Sequence, residues 1–136
     1  MLGRHLIRSW CKDQSVIALS SGEAELYAAN YGAAQVMGLR SMAVDLGIEF
    51  SLDLLIDASA AMGIINRQGL GKVRHIATQD LWLQKAVRDQ EIKMFKVDSL
   101  RNIADLMTKP VMQHEIVNHM GNMSLKWWDV TLQKAR

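Results

Sequence analysis

The segment LDLLID, residues 52–57, restricts the fold of this chain more than any other. It is a short apolar run punctuated by Asp53 and Asp57, and it suits a strand buried on both faces in a parallel sheet. SAAMGIIN (59–66) reads as a helix that ends in the loop RQGLGK, with its two glycines. From Thr78 the residues Leu81, Trp82, Lys85, Ala86 and Asp89 keep a helical period that stops near Asp89 or Gln90. EIKMFKV (91–97) then alternates and reads as a second strand. Strands alternating with helices imply an α/β domain with at least one parallel pair.

Upstream, Ser20, Ser21, Gly22 and Glu23 match the Ser-x-x-Glu capping box, in which the N-cap hydroxyl and the third-position carboxylate serve backbone amides. A helix is expected from about Ser21 to Leu46, with Ala24, Ala28, Tyr31, Gln35, Leu39 and Met42 at three- and four-residue steps and Gly47 closing it. Its small residues Ala28, Ala29, Gly32, Ala33 and Ala34 would allow close approach to a sheet. HLIRSW (5–10) is expected as a short strand and SVIALSS (15–21) as a second extended stretch. ADLMTKP (104–110) is expected as a helical turn stopped by Pro110.

Composition narrows the function classes. With 136 residues, 49% hydrophobic and 22% charged, the chain fits one soluble domain with a frayed tail. No apolar run approaches the roughly 18–20 residues a membrane span needs. The N-terminus lacks the apolar core of a signal peptide. The single cysteine, Cys11, fits a reducing, intracellular setting, cytoplasmic or nuclear, and is expected to be a partly buried hydrophobe beside Trp10. Net charge is only +2, but Arg67 to Lys109 carries nine Lys or Arg against five Asp or Glu. Such an excess gives either a modest basic face for a polyanion or an ordinary solvated surface.

Three segments in order, ALSSGEAELYAA, LLIDASAAMGII and NIADLMTKP, resemble the later motifs of the ribonuclease H domain of copia-type retrotransposon polyproteins. The intervening KVRHIATQDLWLQKAVRDQEIKMFKV is similar to that family's Lys-His-Ile helix and following strand, so the resemblance covers about residues 5–110. It implies an α/β, ribonuclease H-like fold that hydrolyses the RNA strand of an RNA–DNA hybrid. The cofactor implied is two magnesium ions, or manganese, held by four carboxylates about 4 Å apart as metals, one activating water and one stabilising the leaving oxygen.

Matched to the family's motifs, the catalytic and metal-binding carboxylates fall on Glu25, Asp57 and Asp105. Glu23 is left as the capping partner. Each acid also has an ordinary explanation: Glu25 as an exposed helix carboxylate, Asp57 as an N-cap, Asp105 as a first-turn acid. Lys72, Arg74, His75 and Lys109 are the candidate nucleic-acid contacts, against isolated surface cations and a helix-start histidine. His5, His114 and His119 carry no motif, and Trp127 and Trp128 read as an apolar cluster over the core more readily than as a base-stacking platform.

The resemblance also implies a departure. The family's first catalytic aspartate lies on a first strand well upstream of the segment that HLIRSW resembles, whereas here Met1 stands nine residues before Trp10. The expected fold is thus an incomplete ribonuclease H-like one: a mixed sheet lacking its first two strands over residues 1–110, with a helical extension or tail over 111–136. LDLLID would keep an unpaired edge open to association. Two functions compete: a weak or inactive metal-dependent ribonuclease H, and a non-catalytic nucleic-acid-binding remnant. Neither implies a membrane partner.

Overall fold

The structure, a computed structural model, describes residues 1–71 and 75–126, the side chains of Gln79 and Met107 excepted. It is α/β: helix α1 (Ser21–Asp45), strand β1 (Asp53–Ile56), helix α2 (Ser59–Ile65), a 3₁₀ turn (Thr78–Leu81) leading into α3 (Trp82–Arg88), strand β2 (Lys93–Lys96), two further 3₁₀ segments (Ser99–Arg101 and Ile103–Met107) and α4 (Gln113–Asn122). The chain divides into two compact units, Asp13–Asp98 and a second formed by Met1–Lys12 with Ser99–Arg136.

In the first unit β1 and β2 pair in parallel, with Asp53, Leu54, Leu55 and Ile56 opposite Lys93, Met94, Phe95 and Lys96. The ladder extends at both ends, Lys93 N–H donating to Leu52 O at 2.8 Å and Val97 N–H to Ile56 O at 3.0 Å. Both expected strands therefore form. The expected sheet is mixed; among the described residues the sheet is two-stranded and parallel. Nor is LDLLID buried on both faces. Leu52 and Ile56 enter the core with Ile92, while Leu55 and Phe95, directly opposite one another, are 59% and 48% exposed. The described helices of this unit supply one covering layer, so only one face of the pleat is packed.

That core joins Leu26, Ala29 and Ala33 of α1 to Leu52, Ile56, Ala61, Ile64, Ile65, Ile76, Leu81, Leu83, Ala86 and Ile92. The buried side of α1 runs through Gly22, Glu23, Leu26, Ala29, Asn30, Ala33 and Ala43. This differs from the stripe expected from the sequence: Ala28, Tyr31, Leu39 and Met42 are exposed. Apolar residues occur on every side of α1, so periodicity alone does not select its face, which packs against residues of α2, β1 and α3. A Cβ on Gly22 would lie 2.9 Å from Ala60 Cβ, so glycine is what lets the two helix starts touch. The helix ends as expected, Gly47 adopting φ +74° just after it.

The loop after α2 is tied down by Gln84 of α3. Its Nε2 donates to Ile64 O at 2.8 Å and Gly69 O at 3.0 Å, and its Oε1 accepts from Gly69 N–H at 3.0 Å. These bonds satisfy a buried side-chain amide and connect the two helices through the core. Asn30 of α1 similarly donates to Asp80 O at 2.7 Å.

Two extended segments expected from the sequence are not strands. HLIRSW has only an isolated antiparallel bridge from His5 to Leu2, and SVIALSS has none; Val16, Ile17 and Leu19 are exposed. A strand needs a neighbour to satisfy its amides, and among the described residues neither segment pairs with β1 or β2. In the second unit Arg8 instead lies over the Trp10 ring, 5.8 Å from its centroid, and Cys11 is exposed, not partly buried as expected. The turn expected at 104–110 forms as the 3₁₀ segment Ile103–Met107, capped by Asn102 through Ala104 N–H. Helix α4 follows, with Glu115 Oε2 accepting from Met112 N–H at 2.7 Å. Trp127 and Trp128 lie outside the described residues. No helix among the described residues is long and apolar enough to cross a membrane.

Candidate functional site

Asp57 occupies the position directly after β1, at the carboxyl end of a parallel strand, where open α/β sheets commonly present ligand-binding groups. The capping role open to it from the sequence is not used: the N-cap of α2 is Ala58, without a side-chain cap bond. Asp57 is half-buried, and among the described residues its carboxylate makes no hydrogen bond or ion pair. An acid partly withdrawn from water, with its oxygen lone pairs unspent, is suited to accept a cation.

The two glutamates at the start of α1 part company. Ser20 Oγ accepts from Glu23 N–H at 3.2 Å, forming half of the expected capping box. The returning bond is displaced by one residue, since Glu23 Oε2 accepts from Leu19 N–H, at 2.9 Å, and not from the N-cap amide. The other oxygen of Glu23 meets His75 Nε2 at 2.7 Å, across 52 residues of sequence. Glu23 is 3% exposed and therefore belongs to the core as well as to the cap. Glu25 is exposed on the same helix.

The ordinary carboxylate value is lowered at Glu23, first by the His75 hydrogen bond and then by the Leu19 amide, against the opposing effect of burial. A lowered folded-state value means that the folded chain keeps this acid ionised where the unfolded chain protonates it. Its contribution to stability is complete above about 4.5 and is lost as pH falls through the folded value. Thermal melts at pH values descending below 4.5 are therefore expected to show a steeper loss of Tm for the natural chain than for Glu23→Gln. Parallel slopes would mean that Glu23 does not carry this linkage.

The remaining candidates divide in the same way. Asp105 is mostly buried and held by Lys109 Nζ at 2.9 Å, one turn along the chain, so two residues singled out for different roles are bonded to each other. His75 has a side chain 45% exposed, but one ring nitrogen is committed to Glu23. Lys72 and Arg74 lie outside the described residues. Glu25 and Asp57 belong to the first compact unit and Asp105 to the second. Among the described residues no group of three or more His, Cys, Asp or Glu is placed to hold a metal ion together.

Sequence reading missed the Glu23–His75 pair, because the capping box explained Glu23 completely and no local pattern links it to position 75. It also passed over His119, which is buried in α4 with its Nδ1 unpartnered among the described residues.

Comparison with known proteins gives one relevant likeness. Over 106 residues, 76% of this chain, the sequence is 29% identical to the Retrovirus-related Pol polyprotein from transposon TNT 1-94 of Nicotiana tabacum, and the match spans 8% of that polyprotein. No family model matches the chain, and no solved structure matches it. The chain is thus similar to one short segment of a retrotransposon polyprotein, a likeness that supports a retroelement origin.

Proposed function

We propose that this chain is a ribonuclease H-related segment of a retroelement polyprotein and that Asp57, with Glu25 of the same compact unit, serves a site directed at RNA–DNA hybrids. The observation that carries this reading is Asp57: a half-buried carboxylate without a partner among the described residues, at the carboxyl end of a parallel strand. The polyprotein likeness supports the same origin.

The residues as placed do not by themselves fit a two-magnesium centre. Glu25 is exposed, Asp105 is neutralised by Lys109, and the described residues bring no three such groups together. No hydrolytic step is therefore assigned to the isolated chain. A second reading is that the segment binds nucleic acid without cleaving it; the Asp105–Lys109 pair takes Asp105 out of metal binding but also engages Lys109.

Complementation separates the two. The family's first two strands, supplied in trans with magnesium, are expected to raise hydrolysis of a labelled RNA–DNA hybrid, and Asp57→Asn is expected to abolish the increase. If the hybrid binds but hydrolysis never rises, the second reading holds and Asp57 has no part in catalysis.

A further inference from the structure

Successive side chains of a strand point to opposite faces, and β1 and β2 keep the same alternation. Leu52, Leu54 and Ile56 pack in or against the core, as do Ile92 and Met94, whereas Asp53, Leu55, Lys93 and Phe95 between them are all exposed. Lys96, at the end of β2, keeps to the packed side, where its Nζ donates to Ser59 Oγ of α2 at 2.5 Å. The open face is therefore a small square of side chains. Asp53 and Leu55 lie along one strand, with Lys93 and Phe95 opposite them along the other. Among the described residues neither Asp53 nor Lys93 makes an ion pair, so both charges are available to another molecule.

We infer that this face is the interface of a two-fold dimer in which β1 of each copy lies over β2 of the other. Sheets packed face to face with aligned strands keep their directions within about 30° of each other. Two closed arrangements of two copies satisfy that condition. A two-fold axis across the strands sets β1, with Asp53, over β1 and β2, with Lys93, over β2, so like charges share each side. An axis along the strands sets β1 over β2 of the second copy and leaves every residue at its own level. The ladder already holds Asp53 level with Lys93 and Leu55 level with Phe95. That second axis therefore brings Asp53 against Lys93 twice and Leu55 against Phe95 twice, without changing the register inside either copy.

A second copy fits because the face complements itself in charge as well as in apolar content. A purely acidic or purely basic foreign surface would match only one of its two charges. The patch is small, so the dimer is weak, with a Kd on the order of 10 μM or above. This contact is independent of the hybrid-directed reading, since it requires neither magnesium nor nucleic acid.

Sedimentation equilibrium of the full 136-residue chain over a wide range of concentration tests the dimer. The natural chain is expected to approach twice the monomer mass and stop there, because a two-fold contact closes on itself. Asp53→Lys and Lys93→Asp are each expected to weaken association about tenfold, since each sets like charges together at two symmetric points. An equimolar mixture of the two variants, and a chain carrying both changes, are expected to recover the natural affinity, because each restores opposite charges across the interface. Circular dichroism checks that the variants are folded, and the natural chain alone decides the stoichiometry. A chain that stays monomeric overturns the proposal. So do masses that grow past two copies, as edge-to-edge strand pairing would give, and a mixture that associates no more strongly than either variant by itself.

Discussion

Replacing Leu26 by alanine is expected to cost about 2–5 kcal/mol, a large part of the roughly 5–15 kcal/mol that stabilises an ordinary domain. Leu26 is fully buried, and it sits where α1 meets the core residues of α2, β1 and α3. Truncation removes transferred apolar surface and leaves a cavity that the small neighbours Ala29, Ala33 and Ala61 cannot fill by changing rotamer. Leu39, three quarters of the way along the same helix, is 39% exposed, and Leu39→Ala is expected to stay within about 0.5 kcal/mol of the natural chain. Urea titrations followed by circular dichroism compare the two. Equal losses would mean that α1 is packed on both faces.

The second large effect concerns association. Leu55 and Phe95 are paired across the ladder on the uncovered face, and each strand has one edge that no described strand occupies. An exposed apolar pair beside open backbone donors and acceptors is a template for self-pairing. The isolated chain is expected to sediment as a concentration-dependent mixture of monomer and oligomer, and Leu55→Lys with Phe95→Lys to shift it to monomer. A natural chain that remains monomeric at every concentration would contradict this use of the face. A double variant that associates as strongly as the natural chain would contradict it equally.

The elements most legible in the sequence were those whose signals are local. The capping box set the start of α1 and Gly47 its end, while alternation in EIKMFKV and the apolar run in LDLLID located the two strands. What depended on distant partners was not legible. HLIRSW has the pattern of a strand but no described neighbour to pair with, and LDLLID has the composition of a doubly buried strand but only one covering layer. The buried face of α1 depends on its packing against the rest of the core, which its own periodicity does not encode. At the site, Asp57 was placed correctly at the end of its strand because that position follows directly from the strand. Glu23 and His75 meet only through the fold, and a capping motif concealed the second task of Glu23.

On the function proposed above, Asp57 serves a hybrid-directed site that the described residues do not complete. The most direct test is the rate at which the purified 136-residue chain alone hydrolyses a labelled RNA–DNA hybrid in magnesium. The predicted result is a rate near the uncatalysed background, unchanged by Asp57→Asn. Robust cleavage that Asp57→Asn abolishes would contradict it and show that the carboxylates of this chain suffice.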